Sequence, residues 1–355
     1  MPTYTFITDS DYSCRDMSFQ YLLWFQPSLG WIIFNEEKFY VILDGRYFEK
    51  TKTIDKEKIK KILKNEKLKI EFVESKNPLD SIADILQNEE NIFIEGKVAW
   101  EYIEKIENKI GKKLNILTWW YFTNHRLYKT QEEKESIKKA ISIIDTVFLY
   151  IEELNQKWQL IGKTELEIRW IIISKIFEFG GEGESFESIV AFGENSAIPH
   201  HKTWNTKILN GVLVIDMWAL YNSYCSDFTR TFWVGEKNTQ YDKFVKIYDI
   251  VKNAHNNAYQ NAKAGISWKE IDAFTRNYIE TAGYGKNYIH GTGHGLGLDI
   301  HEKPRINASS NEIIENNMVF TIEPWIYLPW EFGIRLEDIV FMENWKLNKY
   351  TKVKI

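Results

Sequence analysis

The sequence is poor in cysteine and has no surplus of positive charge, and each shortage excludes a class of protein. Among 355 residues there are two cysteines, Cys14 and Cys225, too few for the disulfide framework of a small secreted domain. Lysine and arginine (45) are outnumbered by aspartate and glutamate (50), which disfavours a nucleic-acid partner. No apolar run reaches the ~18 residues of a membrane-spanning helix, and the first residues lack a secretory pattern. We therefore expect a cytoplasmic protein that binds neither nucleic acid nor membrane.

What is present is the composition of a folded protein, with 44% hydrophobic and 27% charged residues and a length sufficient for two domains. Residues 1–125 mix strand and helix signals, including a hairpin predicted at 31–43. They predict a small α/β domain.

Residues 126–355 predict a larger α+β domain. Capping-box patterns at Thr130, Thr164 and Ser267, each with glutamate three residues later, mark the start of helices. Strands with hairpin character are predicted at 185–234 and 318–341. Because helices alternate with antiparallel hairpins, the predicted class of this domain is α+β.

Two acidic pairs lie inside these β-rich segments, where aspartate and glutamate are normally depleted. A turn centred on Tyr221-Asn222 would place Asp216 directly opposite Asp227. A loop centred on Trp330 would place Glu323 opposite Glu337 in the same way. Like charges in such positions repel, but a bound divalent cation reverses the sign. Four carboxylates from two hairpins therefore suit two divalent metals that share a water.

Histidines are concentrated in one glycine-rich segment, 290–302. It contains His290, His294 and His301, three of the seven histidines in the chain. Glycines around His294 let the backbone approach a ligand closely. His200 and His201 provide one further candidate position. A lone histidine would be read as structural, but this cluster indicates a site.

Together these motifs resemble the "pita-bread" metallopeptidases, the family of methionine aminopeptidase, aminopeptidase P and prolidase. The order Asp, Asp, His, Glu, Glu is specific to that family, and the resemblance covers nearly the whole chain. The segments SFESIVAFGENSAIPHH, SDFTRTFWVGE, GHGLGLDIHE and FGIRLED are most similar to the Xaa-Pro peptidase branch. The N-terminal segment VILDGRYFEKT also resembles that branch, and methionine aminopeptidases lack such a domain.

The resemblance implies a role for each residue. It implies that a water bridging two divalent metals attacks the Xaa-Pro bond, and manganese is favoured over cobalt or zinc. Glu323 would serve as general base as well as metal ligand. The resemblance also implies a homodimer. The implied metal ligands are Asp216, Asp227, His294, Glu323 and Glu337, the implied substrate-side catalytic residues are His200, His290 and His301, and the implied supporting residues are Arg335 and Thr229.

Two alternatives stay open at this point. A methionine aminopeptidase would share the metal ligands, although the N-terminal domain argues against it. A metal-free pseudoenzyme that acts as a binding module would have no need of all five ligands. The sequence does not locate a pocket for proline, and it does not separate dipeptidase from aminopeptidase activity.

Tryptophan is abundant where the resemblance leads us to expect glycine. There are 14 tryptophans against 19 glycines, and glycine at about 5% is below its usual ~7%. A tryptophan in a turn that needs positive φ would be an outlier. Our hypothesis is that the source organism reads the UGA codon as glycine, and that the affected positions are Trp24, Trp204, Trp218, Trp268, Trp325 and Trp330.

Overall fold

The structure, a computed structural model, describes residues 1–9, 17–95, 98, 100–117, 121–184 and 187–355. Cys14 and positions 185–186 of the quoted serine-containing motif lie outside these ranges. The chain divides into two compact units, Met1–His125 and Arg126–Ile355. Within the described ranges, no helix is both long and apolar enough to cross a membrane.

The first unit is a mixed six-stranded sheet with helices. Its sheet order is β4-β3-β2-β1-β5-β6. The predicted hairpin at 31–43 is confirmed, because Phe34 pairs with Phe39. The strands are β1 (Pro2–Asp9), β2 (Leu29–Phe34), β3 (Lys38–Leu43), β4 (Lys69–Glu74), β5 (Asn91–Glu95) and β6 (Asn115–Leu117), and the helices are α1 (Ser18–Leu23), α2 (Lys56–Ile62), α3 (Pro78–Leu86) and α4 (Trp100–Ile110). A short helix, α5 (Thr123–Leu127), spans the point of division.

The second unit contains four long helices: α6 (Gln131–Gln156), α7 (Glu165–Glu178), α8 (Tyr241–Asn261) and α9 (Trp268–Thr281). The three predicted capping boxes are present at the starts of α6, α7 and α9. In each box the hydroxyl accepts a backbone N–H and the glutamate accepts from the capping residue. These hydrogen bonds satisfy backbone N–H groups that have no partner within the first turn of each helix.

Two antiparallel sheets form the centre of the second unit. One has the order β11-β8-β7 and the other β13-β12-β14-β17-β18. The strands are β7 (Ile189–Phe192), β8 (Gly211–Met217), β9 (Leu220–Tyr221), β10 (Tyr224–Cys225), β11 (Phe228–Val234), β12 (Gly293–Gly295), β13 (Glu302–Ile306), β14 (Val319–Ile322), β15 (Trp325–Leu328), β16 (Phe332–Arg335), β17 (Asp338–Glu343) and β18 (Lys346–Lys349). The observed α+β architecture confirms the predicted fold class.

Each central sheet is covered by two helices through apolar contacts. Helices α6 and α7 pack on the three-stranded sheet through fully buried residues such as Val147, Ile151 and Ile172. Helices α8 and α9 pack on the five-stranded sheet through residues such as Ala258 and Ile271. Burial of each large apolar side chain contributes about 1.5–3 kcal/mol. This packing fixes the central strands whose ends carry the candidate ligands.

Candidate metal centre

The five residues predicted as metal ligands all lie at or near the ends of central strands. Asp216 is in β8 and Asp227 immediately precedes β11. His294 is in β12, Glu323 follows β14, and Glu337 precedes β17. All five line one cavity of about 480 Å³. Residues more than 100 positions apart in the chain are thus brought to a single place.

The register predicted for the first hairpin is wrong by two residues. Asp216 pairs with Thr229, not with Asp227. The turn is formed by Asn222 and Ser223, which both have positive φ, and not by Tyr221-Asn222. Because strand side chains alternate with a period of two, a shift of two keeps them on the same face. The side chain of Asp227 therefore still lies on the same face as that of Asp216. The two residues are diagonal, not direct, cross-strand neighbours.

The register predicted for the second hairpin is confirmed. Trp325 pairs with Arg335, and Leu328 pairs with Phe332 across a loop centred on Trp330. Beyond this ladder, Ile322 pairs with Asp338. Glu323 and Glu337 consequently lie opposite each other in the gap between the two ladders.

His294 connects the two pairs of acids. Its Nε2 is 3.4 Å from an oxygen of Asp227 and 3.5 Å from an oxygen of Glu323. One ligand atom each from Asp227, His294 and Glu337 lie within 4.8 Å of one another. The Nδ1 of His294 is 3.1 Å from the carbonyl oxygen of Gly295, and donation there turns Nε2 toward the carboxylates.

Burial makes this concentration of negative charge unfavourable without a counterion. Asp216, Asp227 and Glu337 are 8%, 6% and 2% exposed. Burial raises the pKa of Asp216 to about 6 and that of Glu323 to about 7, although the positive charge of Arg335 opposes both shifts. Burial and the charges of Asp227 and Glu323 raise the pKa of Glu337 well above its usual value. These carboxylates therefore bind protons more tightly than solvent-exposed ones do.

The residues present fit a divalent cation. The Oδ1 of Asp216 and the Oε1 of Glu337 are buried and find no hydrogen-bond partner among the described residues. Burial alone would lower the pKa of His294, but the hydrogen bond to Asp227 and the charge of Glu323 raise it to about 9. The carboxylates thus hold a positive charge at the place where a cation would bind. Oxygen ligands with one imidazole suit Mn²⁺, Co²⁺ or Zn²⁺.

Arg335 and Thr229 bind the carboxylates of Asp216 and Glu337 through an ion pair and hydrogen bonds. The guanidinium of Arg335 pairs with Asp216, and its Nε donates to the hydroxyl of Thr229 over 3.0 Å. That hydroxyl donates to Glu337 over 2.7 Å. Another Arg335 nitrogen donates to the hydroxyl of Tyr327 over 2.7 Å. Arg335 and Thr229 therefore hold the carboxylates in place, as the resemblance implies.

The three histidines predicted on the substrate side line the same cavity. The rings of His294 and His301 are 4.4 Å apart, and the positive charge of Arg335 acts on His290. Burial and nearby positive charge lower the pKa of both His290 and His301 to about 4. Both are neutral at pH 7. The ring of His201 instead hydrogen-bonds Glu165 at 2.9 Å, which indicates a structural role.

Sequence reasoning missed two groups at the cavity. Arg305 lines it, and the available signal was a cation four residues after His301. Glu302 also lines it and is held by buried Arg126 and Lys129. Those cations lie more than 170 positions earlier, so only the fold could bring them together.

Similar proteins place this site among metallopeptidases. Residues 135–344 match the profile of metallopeptidase family M24. An Xaa-Pro dipeptidase of Pyrococcus furiosus is 36% identical over 321 residues, which is 89% of this chain and 87% of the relative. Among solved structures, a prolidase from Pyrococcus furiosus has a TM-score of 0.85 at 32% identity, covering 99% of this chain and 97% of that one. An X-Pro aminopeptidase from Thermotoga maritima has a TM-score of 0.84 at 29% identity, covering 100% and 96%.

The fold and the buried acidic cluster thus define a hydrolase of the pita-bread type. The chain belongs to metallopeptidase family M24.

Proposed function

We propose that this protein hydrolyses the peptide bond between an N-terminal residue and proline, with two divalent metal ions bound by Asp216, Asp227, His294, Glu323 and Glu337. The observation that carries the proposal is the cluster of buried acids with unpartnered oxygens around His294. The similarity to proteins named Xaa-Pro dipeptidase and X-Pro aminopeptidase extends over most of the chain and supports the substrate class. The first unit, Met1–His125, is included in that similarity.

Metal ions in such a site lower the pKa of a bound water and polarise a carbonyl oxygen. The residues of the chain supply the remaining functions. Asp227 and Glu337 lie close to each other and to His294, and both would help to hold the metal ions. Glu323, whose carboxyl group lines the cavity and whose pKa is raised by burial, would accept a proton as general base. Asp216 is kept in position by Arg335.

The substrate side of the cavity has neutral imidazoles and one cation. Because His290 and His301 are neutral at pH 7, each can donate an N–H to a carbonyl oxygen that becomes negative in the transition state. An Xaa-Pro bond has no N–H, so these donors recognise the carbonyl and not the amide nitrogen. The guanidinium of Arg305 can pair with a carboxylate, such as the C-terminus of a dipeptide.

The test is cleavage by the full chain after dialysis against chelator and reloading with Mn²⁺, Co²⁺ or Zn²⁺ in turn. We expect release of the first residue from Ala-Pro and Ala-Pro-Ala, with the highest rate with Mn²⁺. Asp227→Asn serves as the control without a complete site. Absence of cleavage by any metal-loaded form would contradict the proposal.

The same assay separates the alternatives. A methionine aminopeptidase would cleave Met-Ala-Ser and leave Ala-Pro-Ala intact. A metal-free binding module would retain no Mn²⁺, Co²⁺ or Zn²⁺ after gel filtration. The homodimer and the cytoplasmic location stay predictions from the sequence.

A further inference from the structure

Four tryptophans lie in left-handed backbone. The φ angles of Trp24, Trp158, Trp330 and Trp345 are 60°, 60°, 67° and 63°. Glycine adopts such angles freely and short polar residues tolerate them, but a bulky side chain there is an outlier. The other described non-glycine residues with positive φ are Lys64, Asn222, Ser223, Asn317 and Asn344. Tryptophan is thus the most frequent residue type among these non-glycine positions, although its bulky side chain makes it one of the least expected there.

The helix ends of the second unit allow a direct internal comparison. Helices α7 and α9 end with glycine at the left-handed position, Gly180 (φ 89°) and Gly283 (φ 91°). In both, the next residue donates its N–H to a carbonyl five positions earlier, the bond of a Schellman motif. Helix α6 ends with the same bonds, from Trp158 to Asn155 and from Gln159 to Leu154. Trp158 thus occupies the position that glycine fills in α7 and α9.

The hairpin between β17 and β18 gives the second comparison. Its two-residue loop is Asn344-Trp345, since Glu343 pairs with Lys346. Both loop residues have positive φ, 53° and 63°, which defines a type I′ turn. Such turns strongly prefer Asn-Gly, because both central residues need left-handed backbone. Asn344 matches this preference and Trp345 does not.

Of two more tryptophans, Trp218 lines the cavity and Trp325 packs against His290, which lines it. Trp325 is 0% exposed, and its buried Nε1 has no hydrogen-bond partner among the described residues. Its ring centroid is only 3.4 Å from that of His290. Aromatic pairs normally keep centroids 4.5–7 Å apart, so this contact is too close. Trp218 is buried and lines the same cavity beside Asp216 and Asp227.

We infer that the working polypeptide carries glycine at positions 24, 158, 218, 325, 330 and 345. Glycine at 218 would enlarge the space at the metal centre, and glycine at 325 would relieve the crowding of His290. A source that reads UGA as glycine would produce such a chain. The inference for positions 218 and 325 rests on the proposed function. The inference for the four positions with left-handed backbone, 24, 158, 330 and 345, does not.

Trp204 and Trp268, which the sequence hypothesis also named, are not included. Neither has positive φ among the described residues. Trp268 packs against Phe320 with ring centroids 4.9 Å apart, which is an ordinary aromatic contact. Glycine at these two positions stays a prediction from the sequence.

Thermal unfolding tests the turn positions independently of activity. In the full chain we expect Trp24→Gly, Trp158→Gly, Trp330→Gly and Trp345→Gly combined to raise Tm by roughly 5–15 °C. Matched controls are Trp170→Gly, exposed in the interior of α7, and Trp31→Gly, buried in β2. Both controls should lower Tm, because glycine weakens helices and strands and leaves a cavity in the core. A fall in Tm of the fourfold variant would overturn the inference.

Peptide cleavage tests the cavity positions. We expect Trp218→Gly/Trp325→Gly to raise kcat/KM on Ala-Pro-Ala by roughly a hundredfold, because correct placement of substrate is restored. The same double change should leave Mn²⁺ content unchanged. If the double variant is slower than the parent chain, the inference fails for these positions. If neither form cleaves any Xaa-Pro peptide although Mn²⁺ is bound and the fourfold variant is more stable, the proposed function fails and the inference for the turns stands.

Peptide mass spectrometry of the protein isolated from its own source gives the direct answer. We expect glycine masses at all six positions and tryptophan masses at positions 31 and 170. Tryptophan at 158 and 345 would overturn the inference.

Discussion

Two neighbouring residues, Glu337 and Asp338, show how the protein treats buried charge in opposite ways. Both are almost fully buried at the start of β17. Asp338 meets two cations, Arg230 at 2.6 Å and Lys349 at 2.8 Å, and lies 3.4 Å from His255, whose pKa burial lowers to about 4. Burial alone would raise its pKa, but these charges outweigh burial and lower it. Glu337 instead faces the charges of Asp227, Glu323 and Asp216, and its pKa is raised.

The difference separates a structural ion cluster from a binding site. The Asp338 cluster is balanced by side chains of the chain itself, and Arg230 ties it to the carbonyl oxygens of Thr229 and Glu337. The Glu337 cluster has two cations, Arg335 and the protonated ring of His294, against four acids. Its missing positive charge is what a divalent cation would provide. Adjacent residues thus belong to a balanced ion cluster and to the proposed metal site.

The largest effect is expected from Asp227→Asn. Loss of this proposed metal ligand should reduce kcat/KM on Xaa-Pro peptides by roughly a thousandfold or more. In the metal-free protein at pH 8, the same change should leave Tm unchanged or raise it, because one of the repelling charges is gone. Steady-state kinetics and thermal unfolding check the two parts. A large fall in the Tm of the metal-free variant would contradict this account.

Asp338→Asn should have the opposite effect on stability to Asp227→Asn. It leaves Arg230 buried without its charged partner, so we expect a loss of about 3–5 kcal/mol of unfolding free energy, with or without metal. Because the pKa of Asp338 is lowered in the folded state, its contribution is present above the unfolded pKa near 4 and fades as pH falls through the folded value. Urea unfolding at pH 7 measures the loss. An unchanged free energy of unfolding would remove the distinction between the two clusters.

The third effect is the pH dependence of metal binding. Protons compete with cations for Asp216 and Glu323, whose pKa values are about 6 and 7. Mn²⁺ affinity should therefore fall by at least about a hundredfold from pH 7.5 to pH 5.5, since His294, whose pKa is about 9, must also lose its proton to bind metal. Since these values are raised in the metal-free fold, the stability of that fold declines as pH rises through them, and the gain in Tm on adding Mn²⁺ should grow. Calorimetric titration at both pH values is the measurement; equal affinities would refute the prediction.

The smallest effect is expected from Thr229→Val, which removes the hydroxyl between Arg335 and Glu337. Mn²⁺ affinity should fall by about tenfold, because a group that orients a ligand is lost. Thr231→Val is the matched control, since Thr231 bonds only the backbone of Arg335 among the hydrogen bonds described. It should reduce stability while leaving Mn²⁺ affinity unchanged. Equal losses of affinity in the two variants would mean that the Thr229 hydroxyl has no specific role.

Sequence patterns predicted the structure correctly where it depends on residues close together in the chain. Capping boxes at Thr130, Thr164 and Ser267 placed three helix starts correctly, because each depends on residues three positions apart. The loop centred on Trp330 followed from the spacing of Glu323 and Glu337. For Asp216 and Asp227 the predicted turn was wrong by one residue and the predicted register by two, although the period of two kept both side chains on the same face.

Features formed by distant parts of the chain could not be predicted in this way. The partnership of Arg126 and Lys129 with Glu302, and that of Arg230 with Asp338, join segments from separate elements. No spacing rule connects such residues. The left-handed backbone of Trp158 and Trp345 was also missed, although Asn344 beside Trp345 was a turn signal.

The most direct test of the metal centre is elemental analysis of the full chain and of Asp227→Asn after loading with Mn²⁺ and gel filtration. We predict two manganese ions per parent chain and a marked loss in the variant, with both proteins folded by circular dichroism. Equal manganese content in the two proteins, or none in the parent chain, would contradict the claim that these acids hold the metal.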